Sequence, residues 1–335
     1  MTYEIRPFAL ADLPAVVALY GRVLSPLKPR YCWPLNVERL QRQYFGHPEF
    51  RMGGLFIAVA DGAIVGFAFG AVRTQPITPE DELAGVSLSL ILVDEAYRRR
   101  GIGSALLEKV AEFGRAYGKD MFSAHACMGN PVAFWPGVNR SWVEIVAFLR
   151  AHKFTTTHCE VSMDQHIADF HFTDYVASRH ITLLAEGYRF IPYEDSYHDA
   201  LLRAAGNPSW HLDLQSKIDR LPNPFIETAF LNLDRDNIYG PQEITLAVHD
   251  GVLIGFVALC RNPGEEIAYL GPIRITEALN HVGLGSVMIQ TAIQREQQRG
   301  TKIIDLWCSE NNAQRFYTHN GFLQHDVWDM YERVL

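Results

Sequence analysis

The sequence has few of the features that mark disulfide-bonded, zinc-binding, membrane or nucleic-acid-binding proteins. Its 5 cysteines are widely spaced and form no Cys-x-x-Cys pair, which disfavours a disulfide framework or a zinc site and fits a cytoplasmic protein. No apolar run approaches the roughly 18 residues that a membrane span needs, and no signal-peptide pattern opens the chain. The formal net charge is −8, so we expect no nucleic-acid partner and no membrane association.

The sequence also lacks the two commonest nucleotide-binding motifs. It has no Gly-x-x-x-x-Gly-Lys-Ser/Thr loop and no Gly-x-Gly-x-x-Gly after an N-terminal strand, which disfavours P-loop and dinucleotide-binding folds. Instead, Arg-Arg-Arg-Gly-Ile-Gly-Ser at 98–104 stands between the apolar run 88–93 and a helical pattern with Leu106, Val110 and Phe113 on one face. A glycine turn that opens a helix aims backbone N–H groups and the positive helix end at one point. We therefore predict an anion site at this turn, with phosphate as the ligand.

The chain contains an internal repeat. The pattern Ala-Val-x-Asp-Gly-x-x-Val/Ile-Gly-Phe occurs at 58–67 and again at 247–256, and Asp-Gly between two β-rich runs predicts a hairpin in each copy. The turn Gly-x-Gly-Ser at 101–104 returns at 283–286. Two separate signatures in the same order indicate two homologous domains in tandem.

The length of the chain agrees with two domains, since 335 residues exceed the usual size of one. The repeat places the domains at residues 1–168 and 187–335, with 169–186 as a linker. Helical patterns and β-rich runs are mixed in both copies, which indicates an α/β fold. The sequence Ser-Trp-Val-Glu at 141–144 predicts a capping box and hence a helix that starts there.

Two motifs resemble those of one family. Arg-x-x-Gly-x-Gly at 98–103 resembles the Arg/Gln-x-x-Gly-x-Gly/Ala pyrophosphate-binding motif of the GNAT superfamily of acyl-CoA-dependent N-acetyltransferases, and 312–322 resembles its Asn…Phe/Leu-Tyr-x-x-x-Gly-Phe signature. The resemblance covers nearly the whole chain. It implies, in each domain, a mixed and mostly antiparallel sheet flanked by helices, with a splayed central strand. It also implies acetyl-CoA as the acetyl donor. The sequence shows no metal-binding cluster, so we expect no metal.

The resemblance assigns site residues by position. Backbone groups of 91–93 would bind the pantetheine arm, amides of 99–104 would hold the pyrophosphate, and Tyr317 would be the general acid that protonates the departing thiolate. The coenzyme-binding residues that it implies are Ile91, Leu92, Val93, Arg98, Arg99, Arg100, Gly101, Ile102, Gly103 and Ser104 in the first copy, and Ile273, Ile275, Gly283, Gly285, Ser286 and Asn312 in the second.

The two copies differ in opposite ways. Leu149 stands where the second copy has Tyr317, so the first copy lacks the acid. The second copy has Asn-His-Val at 280–282 in place of the three arginines 98–100, and charge-assisted phosphate contacts are about twice as strong as neutral ones. The sequence leaves open which copy is catalytic.

The function that these motifs imply is transfer of an acetyl group from acetyl-CoA to a primary amine of a small molecule, by direct attack, in a monomer or homodimer. The alternative is a catalytically silent protein that binds or senses acetyl-CoA on a duplicated fold. The general base is open among several acidic and histidine side chains near the central strands, namely Glu80, Asp81, Glu82, His125, Asp305 and Glu310. The acceptor is expected to contact three aromatic-rich loops at 31–35, 130–140 and 226–239.

Overall fold

A computed structural model of the chain describes a mixed α/β protein. The described residues are 2–24, 27, 36–37, 40–45, 50–72, 85–124, 136–206, 243–261, 265–276, 279, 282–309 and 312–335.

The regular elements alternate along the chain in a pattern that occurs twice. The strands are β1 (Glu4–Pro7), β2 (Leu55–Ala60), β3 (Ala63–Val72), β4 (Val86–Val93), β5 (Met121–Ala124), β6 (Val138–Asn139), β7 (Thr155–His166), β8 (Tyr188–Pro192), β9 (Glu243–His249), β10 (Val252–Arg261), β11 (Ile267–Ile275), β12 (Ile303–Ser309) and β13 (Leu323–Val334). The helices are α1 (Leu13–Leu24), α2 (Ile102–Ala116), α3 (Val143–Ala151), α4 (Asp174–Ala185), α5 (His198–Gly206), α6 (Leu284–Gln298) and α7 (Asn312–His319).

The chain forms two compact units. The first contains the described residues up to 160 together with Val327–Leu335, and the second contains those of Val161–Asp326. The chain thus passes from the first unit to the second within β7 and returns within β13. This division differs from the expected boundaries at 168 and 187, because a C-terminal strand finds its hydrogen-bonding partner far away in the sequence.

The sheet of each unit has the same arrangement. In the first unit β1, β2, β3 and β4 pair antiparallel in that order, β4 pairs parallel with β5, and β5 pairs antiparallel with β13. In the second unit β8, β9, β10 and β11 pair antiparallel and β11 pairs parallel with β12. The predicted fold class, two mixed and mostly antiparallel sheets flanked by helices, is confirmed.

The two predicted hairpins are confirmed as well. Asp61 and Gly62 join β2 to β3 with φ of 50° and 75°, and Asp250 and Gly251 join β9 to β10 with the same two values. Two consecutive residues with positive φ form the turn whose twist matches that of the flanking strands. Asp-Gly supplies this turn because aspartate tolerates the left-handed region and glycine enters it freely.

Hydrophobic faces attach helices to both sides of the first sheet. Leu106, Leu107 and Val110 of α2 are at most 1% exposed and pack on one face, where each contributes roughly 1.5–3 kcal/mol of burial. On the other face, α1 buries Val16 and Leu19 against β2, β3 and β4. The amphipathic pattern that predicted α2 is thus the pattern that holds it on the sheet.

The capping box expected at Ser141 is absent. Helix α3 begins at Val143 with Trp142 as its N-cap residue and no side-chain cap. The Ser141 hydroxyl instead lies 2.6 Å from Asn139 Oδ1. Ser141 belongs to the turn between β6 and α3, and the bond to Asn139 holds that turn in place of a cap.

Candidate functional site

A cavity of about 640 Å³ lies in the first unit. Its wall is formed by β4 from Leu88 to Val93, by the turn that follows β4, by the start of α2 and by α3. Most of the lining side chains are apolar. Such a concave, largely apolar space with a few polar groups is typical of small-molecule sites.

The cavity exists because two parallel strands separate. β4 and β5 pair only at Val86–Phe122 and Ser87–Ser123, and the cavity begins at the next residue, Leu88. At the closed end the strands approach so tightly that a Cβ on Gly85 would overlap the carbonyl oxygen of Met121. The expected splay of the central strand is therefore present, and it leaves backbone groups of β4 beyond Ser87 without partners from β5.

The turn between β4 and α2 has an unusual backbone. Arg99 has φ of 60° and Gly101, the N-cap residue of α2, has φ of 83°. Left-handed residues in such a turn direct successive N–H groups to one side, which makes an anion-binding concavity. The first N–H groups of α2 and its positive dipole end lie at the same place. The predicted residues Arg98, Arg99, Gly101, Gly103 and Ser104 all line the cavity.

The remaining two residues of this turn have other roles. Ile102 is 2% exposed and packs in the core. The Arg100 guanidinium lies over the Tyr97 ring, 5.5 Å from its centroid, which is a cation–π distance.

Arg98 connects the turn to α3. Its Nε donates to the carbonyl oxygen of Val93 at 3.1 Å, and its Nη1 lies 2.7 Å from Glu144 Oε2. Glu144, in the first turn of α3, also lines the cavity. A guanidinium bound on one edge by the strand and on the other by a carboxylate is held facing the turn.

Close packing of α3 on α2 completes the site. A Cβ on Gly103 would lie 3.2 Å from Phe148 Cε2, so glycine is what allows the two helices this approach. His152 Nε2 lies 2.9 Å from Ser104 Oγ, and its Nδ1 lies 2.8 Å from the carbonyl oxygen of Phe148. This histidine ties the start of α2 to the end of α3.

The second unit repeats this helix packing with different side chains. A Cβ on Gly285 would lie 3.3 Å from Phe316 Cε2. Asn320 Nδ2 donates to Ser286 Oγ at 3.2 Å and to the carbonyl oxygen of Phe316 at 2.9 Å. Asn320 thus has the contacts that His152 has in the first unit. By the same correspondence, Tyr317 is the counterpart of Leu149.

The turn before α6 is covered by α4. Gly283 has φ of 82° as the N-cap residue, and a Cβ there would lie 2.8 Å from Tyr175 Oη and 3.0 Å from Arg179 Cγ. Arg179 Nε donates to the carbonyl oxygen of Val282 at 2.6 Å. Gly283 therefore has the left-handed φ that Gly101 has in the first unit, and it packs against two side chains of its own unit.

The other predicted residues of the second unit lie in β11 and α7. Ile273 pairs with Val257, and Ile275 with Gly255. Tyr317 is 7% exposed, between the rings of Phe316 and Phe322 at centroid distances of 5.3 and 5.7 Å. The side chain of Asn312 lies outside the described residues.

Asp305, a candidate base, belongs to a buried polar cluster in the second unit. His325 Nε2 lies 2.9 Å from Asp305 Oδ1, and His325 Nδ1 lies 2.8 Å from Asp326 Oδ2. Burial lowers the pKa of His325, but the bonds to both carboxylates raise it by more, so its pKa lies above the ordinary value. Burial also raises the pKa of Asp305, and the bond from His325 offsets only part of that rise. Carboxyl oxygens thus lie at both ring nitrogens of His325, an arrangement that favours its protonated form.

Several predicted side chains lie outside the described residues. They are Glu80, Asp81, Glu82, His125 and Glu310, the loops 31–35 and 226–239, and residues 130–135 of the loop 130–140. Residues 136–140 of that loop are described, and Gly137 and Val138 line the cavity. Three lining residues that the sequence motifs do not point to are Ser89, Glu144 and His152. Of these three, only His152 could have been identified from the sequence, because it occupies the position of Asn320 in the internal repeat.

The described residues contain neither a metal-binding cluster nor a membrane-spanning helix. No group of three histidine, cysteine or acidic side chains that could hold a metal ion occurs among them. None of the helices within the described ranges combines the length and apolar character needed to cross a membrane.

Comparison with known proteins agrees with the geometry. A search of curated proteins gives no match. Among solved structures, the chain is similar to a GCN5-related glucosamine N-acetyltransferase region of a fungal multi-domain GH3 β-N-acetylglucosaminidase, with a TM-score of 0.76 and 17% identity, covering 99% of this chain and 38% of the fungal one. It is also similar to a tandem GNAT protein from the clavulanic acid biosynthesis pathway, with a TM-score of 0.68, 18% identity and coverage of 99% and 98%. A GCN5-related N-acetyltransferase from Sphaerobacter thermophilus has a TM-score of 0.67, 14% identity and coverage of 99% and 95%.

These identities are low, so the structural likeness establishes the fold alone. The family model of the acetyltransferase (GNAT) family matches residues 19–134 and 212–322, more than half of the chain and one stretch in each copy of the repeat. Acetyltransferases of this family take their acyl group from acetyl-CoA. The chain therefore belongs to the acetyltransferase (GNAT) family, as a member with two tandem GNAT regions.

Proposed function

We propose that the first unit transfers the acetyl group of acetyl-CoA to a primary amine of a small molecule. The observation that carries this proposal is one continuous cavity that joins the glycine turn before α2 to the point where β4 and β5 separate. A long, thin ligand with an anionic end and a reactive end matches that shape.

In this proposal the turn binds the diphosphate of the coenzyme. Amides of Arg99 to Ser104 donate to phosphate oxygens, and Arg98 adds positive charge from beside Glu144. The pantetheine arm lies along β4, where the backbone of Ile91, Leu92 and Val93 has no partner from β5. The thioester then lies near the separation of the strands, among apolar side chains that exclude water from it.

The reaction is a direct displacement. The amine, deprotonated by a base or a water chain, attacks the acetyl carbonyl carbon with its lone pair, and the carbon–sulfur bond breaks with its electron pair going to sulfur. The proton that the attacking nitrogen then loses passes through water to the sulfur. Holding both reactants in one cavity replaces a bimolecular encounter by a pre-oriented one. The neutral product amide and CoA then leave.

We propose that the second unit does not bind the coenzyme. Tyr175 and Arg179 occupy the approach to Gly283, and Arg179 already binds the carbonyl oxygen of Val282. Ile273, Ile275, Gly285, Ser286, Asn312 and Tyr317 would then serve the packing of that unit rather than catalysis.

For the acceptor we propose a small amine rather than a protein. The fungal neighbour is described as a glucosamine N-acetyltransferase region, and the tandem neighbour comes from a biosynthetic pathway for a small molecule. The largely apolar cavity of the first unit supports the same class.

The experiment is a pair of measurements on the full chain. Titration calorimetry with CoA is expected to give one site per chain, and thiol release from acetyl-CoA over a panel of small amines is expected to show turnover. Two equal sites would contradict the assignment to the first unit. Absence of CoA binding would contradict the proposal that the protein uses acetyl-CoA.

One observation favours a second candidate, a silent protein that binds acetyl-CoA. Leu149 is fully buried and lines the cavity where the family pattern has a tyrosine, so the usual proton donor is absent there. Tight binding of CoA with no thiol release for any amine would support that alternative.

A further inference from the structure

One polar atom in the cavity wall lacks a partner. Ser89 lines the cavity, and its Oγ is buried with no hydrogen-bond partner among the described residues. A buried hydroxyl without a partner destabilises a fold, so native proteins keep few of them. Its presence in this wall leaves the Ser89 hydroxyl able to bind a ligand in the cavity.

The backbone of β4 is bulged at this serine. β3 pairs Phe69 with Leu90 and Gly70 with Leu88, so Ser89 is the extra residue between two paired ones. Bulges change the direction of a side chain and are common next to active sites. At Ser89 the bulge therefore interrupts the regular alternation of side-chain directions along β4.

The second unit shows that the bulge does not need a serine. β10 pairs Val257 with Ile273 and Leu259 with Leu270, so Gly271 and Pro272 of β11 stand opposite Ala258 and β11 also has one residue more than its partner here. Gly271 precedes Gly283 by twelve residues, as Ser89 precedes Gly101. The second unit thus accommodates an extra residue at the corresponding place with Gly271 and Pro272, neither of which has a hydroxyl. An irregular strand at this place therefore does not require the hydroxyl of Ser89.

The depth of Ser89 fits the reactive end of the coenzyme. It lies four residues before Val93, the last residue of β4, which corresponds to about 13 Å along a strand. A coenzyme whose diphosphate lies at the turn and whose arm follows β4 places its sulfur in that direction. The same cavity wall contains Leu149, at the position where the second copy has Tyr317.

Resting on the acetyltransferase function proposed above, we infer that the Ser89 hydroxyl donates a hydrogen bond to the thioester sulfur and stabilises the departing thiolate. As the carbon–nitrogen bond forms and the carbon–sulfur bond breaks, the electron pair moves to sulfur and the donated bond becomes charge-assisted. The proton lost by the amine passes to water, and water returns one proton to sulfur as CoA leaves. The serine thereby stabilises the departing thiolate, as the tyrosine does elsewhere in the family, but it does not give up its own proton.

The test compares two variants that each remove an unpartnered hydroxyl. Ser89→Ala is expected to lower kcat about tenfold to a hundredfold while KM for acetyl-CoA and the melting temperature stay near wild type. Tyr331→Phe is the matched control, since Tyr331 Oη is also buried without a partner among the described residues but Tyr331 is not part of the cavity wall. Tyr331→Phe is expected to leave kcat unchanged.

A binding measurement tests the contact without turnover. Wild type is expected to bind CoA about twofold to tenfold more tightly than desulfo-CoA, the gain of one hydrogen bond, and Ser89→Ala is expected to bind both equally. Equal kcat in wild type and Ser89→Ala, or an unchanged preference for the sulfur, would overturn the inference. If wild type releases no thiol with any amine, the proposed function fails instead, and the binding comparison still decides whether Ser89 contacts the sulfur.

Discussion

Arg98 Nη1 lies 2.7 Å from Glu144 Oε2, so the first arginine of the turn between β4 and α2 is held by a carboxylate of α3. A bound diphosphate would compete with that carboxylate for the guanidinium. The Glu144 side chain is 64% exposed, and exposed ion pairs contribute only about 0.2–1 kcal/mol. We therefore expect Glu144→Gln to tighten CoA binding by about twofold to fivefold, measured by titration calorimetry.

The control is the same substitution in an Arg98→Gln background. There the competition no longer exists, so only the loss of one negative charge near the phosphates remains and the gain should shrink. An equal gain in both backgrounds would mean that Glu144 acts by charge repulsion and not through Arg98.

The two glycines that contact α3 and α7 offer a matched pair of substitutions. Gly103 and Gly285 each face one phenylalanine, at 3.2 and 3.3 Å from where a Cβ would stand. Gly103→Glu brings a carboxylate into the cavity beside the turn, and we expect CoA binding to weaken about a hundredfold or more. Gly285→Glu should disturb helix packing to a similar extent and leave CoA affinity within about twofold.

The melting temperatures of the two variants show how much each substitution disturbs helix packing, separately from its effect on CoA binding. Both variants should lose comparable stability, because the aromatic contact is the same. If Gly285→Glu abolished CoA binding and Gly103→Glu did not, the coenzyme site would belong to the second unit.

The sequence predicts those parts of the fold that depend on neighbours in the chain. The Asp61-Gly62 turn and the strand, turn and helix around Arg98 are set by local residue preferences and by a repeated apolar period. Their geometry follows from the residues that form them. The coenzyme roles of these residues stay predictions.

What the sequence does not predict depends on distant contacts. The antiparallel partner of β5 is β13, from the far end of the chain. No local sequence pattern identifies which strand will pair with another. Arg179 lies in a segment that reads as a linker, yet it binds the turn before α6. Ser89 lies inside an apolar run, where a single hydroxyl gives no sign that the strand is bulged.

The cluster around His325 predicts how the second unit responds to pH. Hydrogen bonds to Asp305 and Asp326 outweigh burial and raise the pKa of His325 in the folded state, so the folded state binds a proton more tightly than the unfolded one. That contribution to stability is fully present below the ordinary histidine pKa and is lost as pH rises through the raised value. We expect the melting temperature of wild type to fall over that window more steeply than that of His325→Gln.

The raised pKa of Asp305 acts in the same direction, since burial makes its charged form unfavourable in the folded state. His319→Gln is the control, because His319 is exposed in α7. A pH dependence that His325→Gln leaves intact, or that His319→Gln removes, would contradict the assignment to this cluster.

The C-terminal strand is expected to be essential for the first unit. Tyr331 pairs with Ala124 and is fully buried, and Trp328 and Asp329 pair with β6 beside the cavity. Arg140 Nη2 also lies 2.6 Å from Asp329 Oδ1. Removal of Val327–Leu335 leaves the edge of β5 unpaired and exposes the core around Tyr331, where loss of one aromatic side chain alone costs about 3–5 kcal/mol.

We expect a chain ending at Asp326 to lose CoA binding and to become protease-sensitive first within residues 2–160, while the amides of β9 and β10 stay protected from hydrogen exchange. Deletion of Leu335 alone removes one backbone bond, from its N–H to the carbonyl oxygen of Asp120, and the packing of one partly buried side chain on the core. It should leave CoA affinity within about twofold. A chain ending at Asp326 that still bound CoA with wild-type affinity would show that β5 and β6 hold the cavity without β13. Equal loss of protection in both units would show instead that the two repeats unfold as one cooperative body.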